Sequence, residues 1–103
     1  MNNEILTNDL KNKIVAVINK RLRLPHYKLF IFGSHVDGTA TERSDIDVGV
    51  EAPEKIPVAE KLEIEDELSD LPILQKIDFV DFNDIGDGFR RVALKKIEVI
   101  YER

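Results

Sequence analysis

The run Leu29-Phe30-Ile31-Phe32-Gly33-Ser34, followed after ten intervening residues by Asp45-Ile46-Asp47-Val48-Gly49-Val50, carries most of the structural information in this chain. The first run is apolar, aromatic and β-branched with no alternation. That pattern belongs to a strand buried on both faces, stopping at Gly33-Ser34. The second alternates: Ile46, Val48 and Val50 fall on one side, Asp45, Asp47 and Gly49 on the other. Aspartates at i and i+2 on a strand project to the same face with Cα atoms about 7 Å apart. So placed, two carboxylates can ligate one hard cation or bridge two that lie about 4 Å apart. Gly33 lets the backbone turn tightly and approach a ligand without a Cβ. Ser34 can offer its N–H and its hydroxyl to a phosphate oxygen. Among ten aspartates, a lone Asp-x-Asp pair reads as a solvated strand face. The strand-terminal Gly-Ser at this spacing turns it into a candidate phosphate and cation site.

The flanking segments supply the rest of a small domain. Leu10, Ile14, Val17 and Ile18, extended by Leu6 and Leu22, form a helical stripe that Thr7, Asn8 or Asp9 can cap and that Pro25 ends. Val58, Leu62, Leu68 and Leu71 predict an acidic helix entered at Pro57 and finished before Pro72. Its acidic run from Glu60 to Asp70 reads as the wet side. Lys76 to Phe82 predicts a third strand, with Asp78, Val80 and Phe82 facing opposite to Ile77, Phe79 and Asp81. A turn containing Gly86 and Gly88, a helix over Phe89 to Lys96 and a strand over Glu98 to Tyr101 complete the order. The expected fold is a single α+β domain over residues 1–103, a small mixed β-sheet with helices packed mainly on one face. Asp78, on a strand beside Asp47, can complete a metal site or accept a proton from an attacking hydroxyl. Asp81 is out of phase with Asp78 and reads as a surface residue, and Phe89 reads as core or near-core.

Composition narrows the classes. Fifteen basic against twenty acidic residues give a net charge of −5, which disfavours general binding to nucleic acid backbones. With no cysteine, disulfide frameworks, thiolate zinc sites and cysteine nucleophiles are excluded. The apolar runs at 14–18 and 29–32 are too short to span a bilayer. Residues 1–4 carry no basic flank or signal-like stretch, so the expected location is cytoplasmic.

Taken in order, Gly33-Ser34, Asp45-x-Asp47 and a later Asp78 resemble the nucleotidyltransferase superfamily of the DNA polymerase β type. Supporting runs are Leu29 to Ser34, then Gly38, then Ser44-Asp45-Ile46-Asp47-Val48, and the closing Glu98-Val99-Ile100-Tyr101-Glu102. At this size the chain is similar to the minimal nucleotidyltransferases that act as antitoxins in HEPN/MNT toxin–antitoxin pairs, a likeness running from Tyr27 through Tyr101. The resemblance implies the nucleotidyltransferase fold and transfer of AMP from ATP with magnesium, two ions being usual. It assigns catalysis and metal binding to Asp45, Asp47 and Asp78, and nucleotide binding to Gly33, Ser34 and Ser44. It further implies a HEPN toxin as partner and a hydroxyl acceptor, tyrosine in related antitoxins. A core of this size must borrow acceptor recognition from another chain. Self-association is compatible with the sequence, but no pattern sets its order.

Family members often carry Gly-Ser-Arg-x-Arg-Gly, and here the arginine places hold His35 and Asp37. Ile97 stands where a glycine often precedes the last strand. Two fewer cations beside a triphosphate predict weaker binding, unless an imidazolium at His35 compensates in part. His35 alone reads more simply as an exposed loop residue. Arg90, Arg91, Lys95 and Lys96 read as a solvated helix face. The rival reading is an antitoxin that neutralises its partner by contact, with a weak or inactive site.

Overall fold

The computed structural model describes residues 6–103; the leader argument drawn from residues 1–4 lies outside them. The elements are α1 (Asn8–Arg21), β1 (Lys28–Phe32), α2 (Ser34–Asp37), β2 (Ile46–Glu51), α3 (Val58–Ser69), β3 (Ile77–Asp81), α4 (Asp87–Ala93) and β4 (Glu98–Glu102). The strands form one mixed sheet in the order β3-β2-β1-β4. β1 is antiparallel to both β2 and β4, while β2 and β3 run parallel and are joined through α3. A parallel pair needs such a crossover, because a tight turn cannot return the chain to the same end. The α+β architecture is the one expected.

Each face of the sheet has its own apolar cluster, and β1 contributes to both. Leu29 and Ile31 join Ile46, Val48 and Val50 of β2, Ile14 and Ile18 of α1, and Ile64 and Leu68 of α3. Phe30 and Phe32 point the other way and pack with Phe82. The Phe30 and Phe82 rings meet edge to face at 4.8 Å, and Phe32 meets Phe82 at 5.2 Å. This second cluster is covered by α4 and the turn after it, through Ala93, Leu94 and Ile97. The two long helices therefore share one face, and the short α4 closes the other.

Local chemistry accounts for the helix ends. Thr7 caps α1, its Oγ1 accepting from Leu10 N–H at 3.1 Å. Leu22 then leaves the helix with extended geometry, and Pro25 follows. The stripe expected on α3 is only partly realised. Ile64 and Leu68 are buried, whereas Val58 and Leu62 stand 70% and 60% exposed. Apolar residues lie all around this helix, so its rotation is set by contacts with α1. Arg21 reaches Glu67 at 2.7 Å and Glu63 at 2.9 Å, and Arg23 N–H donates to Glu60 at 3.0 Å. Part of the acidic run therefore faces α1 rather than open water.

Asp81 is not a surface residue. It is 1% exposed, and its two carboxylate oxygens accept from Ile56 N–H at 2.8 Å and Asn83 N–H at 2.9 Å. Asn83 in turn donates to the carbonyls of Ala52 and Glu54. The carboxylate thus satisfies one backbone donor of the loop between β2 and α3 and one of the turn after β3, a use that strand parity alone does not reveal. Phe89 also departs from expectation: it meets Phe32 edge to face at 6.3 Å but is 54% exposed, lying at the rim of the second cluster.

Two outcomes follow for stability. A Cβ at Gly49 would lie 2.5 Å from Phe30 and 2.7 Å from Phe82 ring atoms. Gly49→Ala should destabilise by about 1–3 kcal/mol through overpacking, lowering Tm by about 4–8 °C per kcal/mol in a thermal melt. Asp81→Ala leaves the buried Ile56 N–H without its acceptor. It should cost about 1–3 kcal/mol in denaturant unfolding, with Asp81→Asn, which keeps one acceptor, closer to wild type.

Candidate active site

Three strand ends meet at one end of the sheet. β1 finishes at Phe32, and Phe32 lies opposite Asp47 of β2. Asp47 in turn lies opposite Asp78 of β3. Adjacent strands are about 4.8 Å apart, so the two carboxylates stand side by side on the face away from the main core. β2 is antiparallel to β1, which brings the start of β2 beside the end of β1. β3 runs with β2 and delivers Asp78 to the same place.

Gly33 is required here for two reasons. Its φ of 78° and ψ of −149° are open to glycine and strained for other residues. A Cβ at this position would also land on the Asp47 carboxylate. The chain then tightens into α2, whose Val36 and Asp37 N–H groups both donate to the Gly33 carbonyl at 3.0 Å. α2 begins with no side-chain cap and ends at Gly38, which takes the left-handed conformation.

The remaining expected residues occupy distinct positions. Asp45 lies one residue before β2 and is exposed. Asp78 forms an ion pair with Lys76 at 3.4 Å, a half-exposed contact of little energetic weight. Ser44 organises its loop: its Oγ accepts from Thr41 N–H at 2.8 Å, and its carbonyl accepts from His35 Nε2 at 3.2 Å. His35 is therefore not a free loop residue. A carbonyl partner requires Nε2 to carry the proton, and the ring lies close enough to Asp47 to favour its ionised form.

The Asp47 carboxyl is pushed above the usual aspartate range, first by burial and then by the charges of Asp78 and Asp45, with His35 acting in the opposite direction. Repulsion among these groups is what a hard divalent cation would relieve. In donor chemistry the site fits such an ion. Among the described residues, however, no three carboxylate or imidazole groups converge closely enough to form a ready-made metal cage.

Two hollows share Asp47, Phe32 and Phe89 as a wall. The larger, about 890 Å³, runs around the edge strand and includes Asp78 and Lys76. The smaller, about 420 Å³, includes Gly33, Asp37, Lys95 and Lys96. Both are of the size that holds small ligands. Phe89, Lys95 and Lys96 are the residues that sequence reading left outside the site. Only the pairing of β4 with β1 brings the two lysines here, so local pattern could not have found them. Asp37, which also lines the smaller hollow, turns its carboxylate toward Thr39, accepting from Thr39 N–H at 3.0 Å and Oγ1 at 2.6 Å. Among the described residues no helix is long and apolar enough to cross a membrane.

Comparison with known proteins places this geometry. In sequence, the chain is 26% identical over 97 residues to the probable protein adenylyltransferase MntA of Haemophilus influenzae, covering 92% of this chain and 85% of that protein. In structure, it matches a crystal structure of a toxin–antitoxin with AMP-PNP at a TM-score of 0.74 and 22% identity, over 90% of this chain and 73% of that one. A structure of tri-AMPylated Shewanella oneidensis HEPN toxin in complex with MNT antitoxin matches at a TM-score of 0.65 and 19% identity, over 90% and 70%. At these identities the structural likeness is one of fold. The family model described as Polymerase beta, Nucleotidyltransferase matches residues 12–103. That span takes in every site residue discussed above, and the chain belongs to the polymerase β nucleotidyltransferase family.

Proposed function

We propose that this chain is an antitoxin-type nucleotidyltransferase that moves AMP from ATP to a hydroxyl, a tyrosine by family resemblance, of a HEPN-domain partner. The observation that carries this reading is the register that seats Asp47 between Phe32 and Asp78, against the backbone of Gly33. MntA of Haemophilus influenzae and the AMPylated toxin complex support the choice of nucleotide and partner.

Gly33 and Ser34 receive the outer phosphates, and Ser44, whose hydroxyl is engaged by Thr41, contributes to nucleotide binding by ordering this loop and holding His35. Asp45, Asp47 and Asp78 are the residues that would hold magnesium, two ions in the family arrangement. When bound, the metal supplies neutralisation of the triphosphate charge. The acceptor hydroxyl attacks the α-phosphorus, forming a new P–O bond as the bond to the β-phosphate oxygen breaks and pyrophosphate leaves. Asp78, which lines the larger hollow beside Asp47, takes the hydroxyl proton. Positioning and charge compensation do most of the work in such a reaction.

The direct test is transfer of label from ATP radiolabelled at the α-phosphate to the partner protein, with magnesium. Asp47→Asn should reduce transfer at least about a hundredfold. A stable complex with no label transferred by the wild-type chain, and a partner inactive within it, would instead establish neutralisation by contact.

The same substitution has a separate signature in the metal-free protein. Because the folded state holds the Asp47 proton more tightly than the unfolded state does, stability is lost as the pH rises from the ordinary aspartate value of 3.8 through the raised one. Asp47→Asn should therefore raise the Tm at pH 7. The gain should shrink as the pH falls toward and below the ordinary aspartate value of 3.8, where Asp47 is protonated in both states. A wild-type chain more stable than Asp47→Asn at pH 7 without metal would contradict this.

A further inference from the structure

We propose that Lys95 and Lys96, on the turn between α4 and β4, form the cationic wall of a polyphosphate subsite and stand in for the two arginines replaced by His35 and Asp37. The inference deepens the transferase reading above and rests on it for the identity of the polyphosphate as the tail of a nucleoside triphosphate.

Sheet topology puts the lysines there. β4 pairs antiparallel with β1, and its first residue, Glu98, lies opposite Ile31. The residues just before Glu98 therefore arrive at the Gly33 end of β1. Ile97 anchors the turn by packing against the Phe30, Phe32 and Phe82 cluster. Lys95 and Lys96 then line the 420 Å³ hollow together with Gly33, Asp37 and Asp47. An ammonium group serves as a phosphate partner because it acts as a point charge and needs no fixed approach geometry.

The four basic residues near α4 divide into separate tasks. Arg90 is committed to the fold, donating to the Phe82 carbonyl and approaching Glu51 at 3.7 Å. Arg91 is exposed and lines neither hollow beside Asp47. Among the ion pairs of the described residues, none uses Lys95 or Lys96. Asp37 stays ionised in this hollow, but its carboxylate is turned to Thr39, so one anionic neighbour on the α2 side is set against the two cationic charges of the lysines. Those Thr39 bonds, and secondarily the charge of Lys96, hold the Asp37 carboxyl below the usual range.

The test is calorimetric titration of inorganic tripolyphosphate and of ATP, each with magnesium, into the full chain. Lys95→Ala/Lys96→Ala should weaken both ligands about tenfold to a hundredfold. Lys95→Arg/Lys96→Arg should retain most of the affinity. Arg23→Ala/Arg91→Ala, which removes the same charge away from the hollow, should match wild type. Both lysines are exposed, so an unchanged thermal melt will show that the double alanine chain folds. Equal affinity in the double alanine variant, equal losses in the Arg23/Arg91 control, or no uptake of tripolyphosphate by wild type would each overturn the subsite. Lysine-dependent tripolyphosphate binding in a chain that transfers no label to its partner would uphold the subsite and sink the transferase reading instead. Transfer by the double alanine variant with wild-type KM for ATP would do the reverse.

Discussion

Everything at the active end of this molecule depends on the two-residue alternation of β2, clamped between β1 and β3. Ile46, Val48 and Val50 are fully buried against α1 and α3. Their burial holds Asp47 on the opposite face, since a slip of one residue would exchange the two sets. Pairing then aligns Asp47 with Phe32 on one side and Asp78 on the other. The apolar face thus fixes the position of the acidic one, and the energy that holds two like charges together comes from residues that never touch them.

That arrangement sets function against stability. Burial and the neighbouring carboxylates make Asp47 harder to ionise, and Gly33 is held where no other residue fits. Strained backbone and concentrated like charge are characteristic of sites that bind cations or phosphates. Cohesion is supplied elsewhere, by the interlocked phenylalanines under α4 and the apolar layer under α1 and α3. Asp81 illustrates the contrast. It is an aspartate three residues from Asp78, yet it is buried and saturated by backbone donors, so it serves architecture while Asp78 remains available to a ligand.

α4 and the turn after it link the two roles. Their inward residues close the second cluster, while Phe89 and the two lysines face the hollows beside Asp47. Any change that moves α4 on the sheet will therefore alter the site wall together with the core. The short length of α4, seven residues, makes Arg90 important as a tether from its middle to the end of β3.

Local periodicity and spacing alone determined the strand character of residues 28–32 and 45–50, a capped start of α1 near residues 7–9, the outward parity of Asp47 and Asp78, and the need for glycine at position 33. These follow from contacts within a few residues, where geometry repeats every two or 3.6 positions. What only the tertiary structure decided involves partners far apart in the chain. The rotation of α3 came from the packing of Ile64 and Leu68 into the main core, with Arg21 pairing the glutamates opposite it, the burial of Asp81 from Ile56 N–H, and the engagement of His35 from the Ser44 carbonyl. The placement of Lys95 and Lys96 came from β4 pairing with a strand about seventy residues earlier. A linear pattern records which face of its own element a residue occupies, but sheet order and helix rotation determine what that face meets.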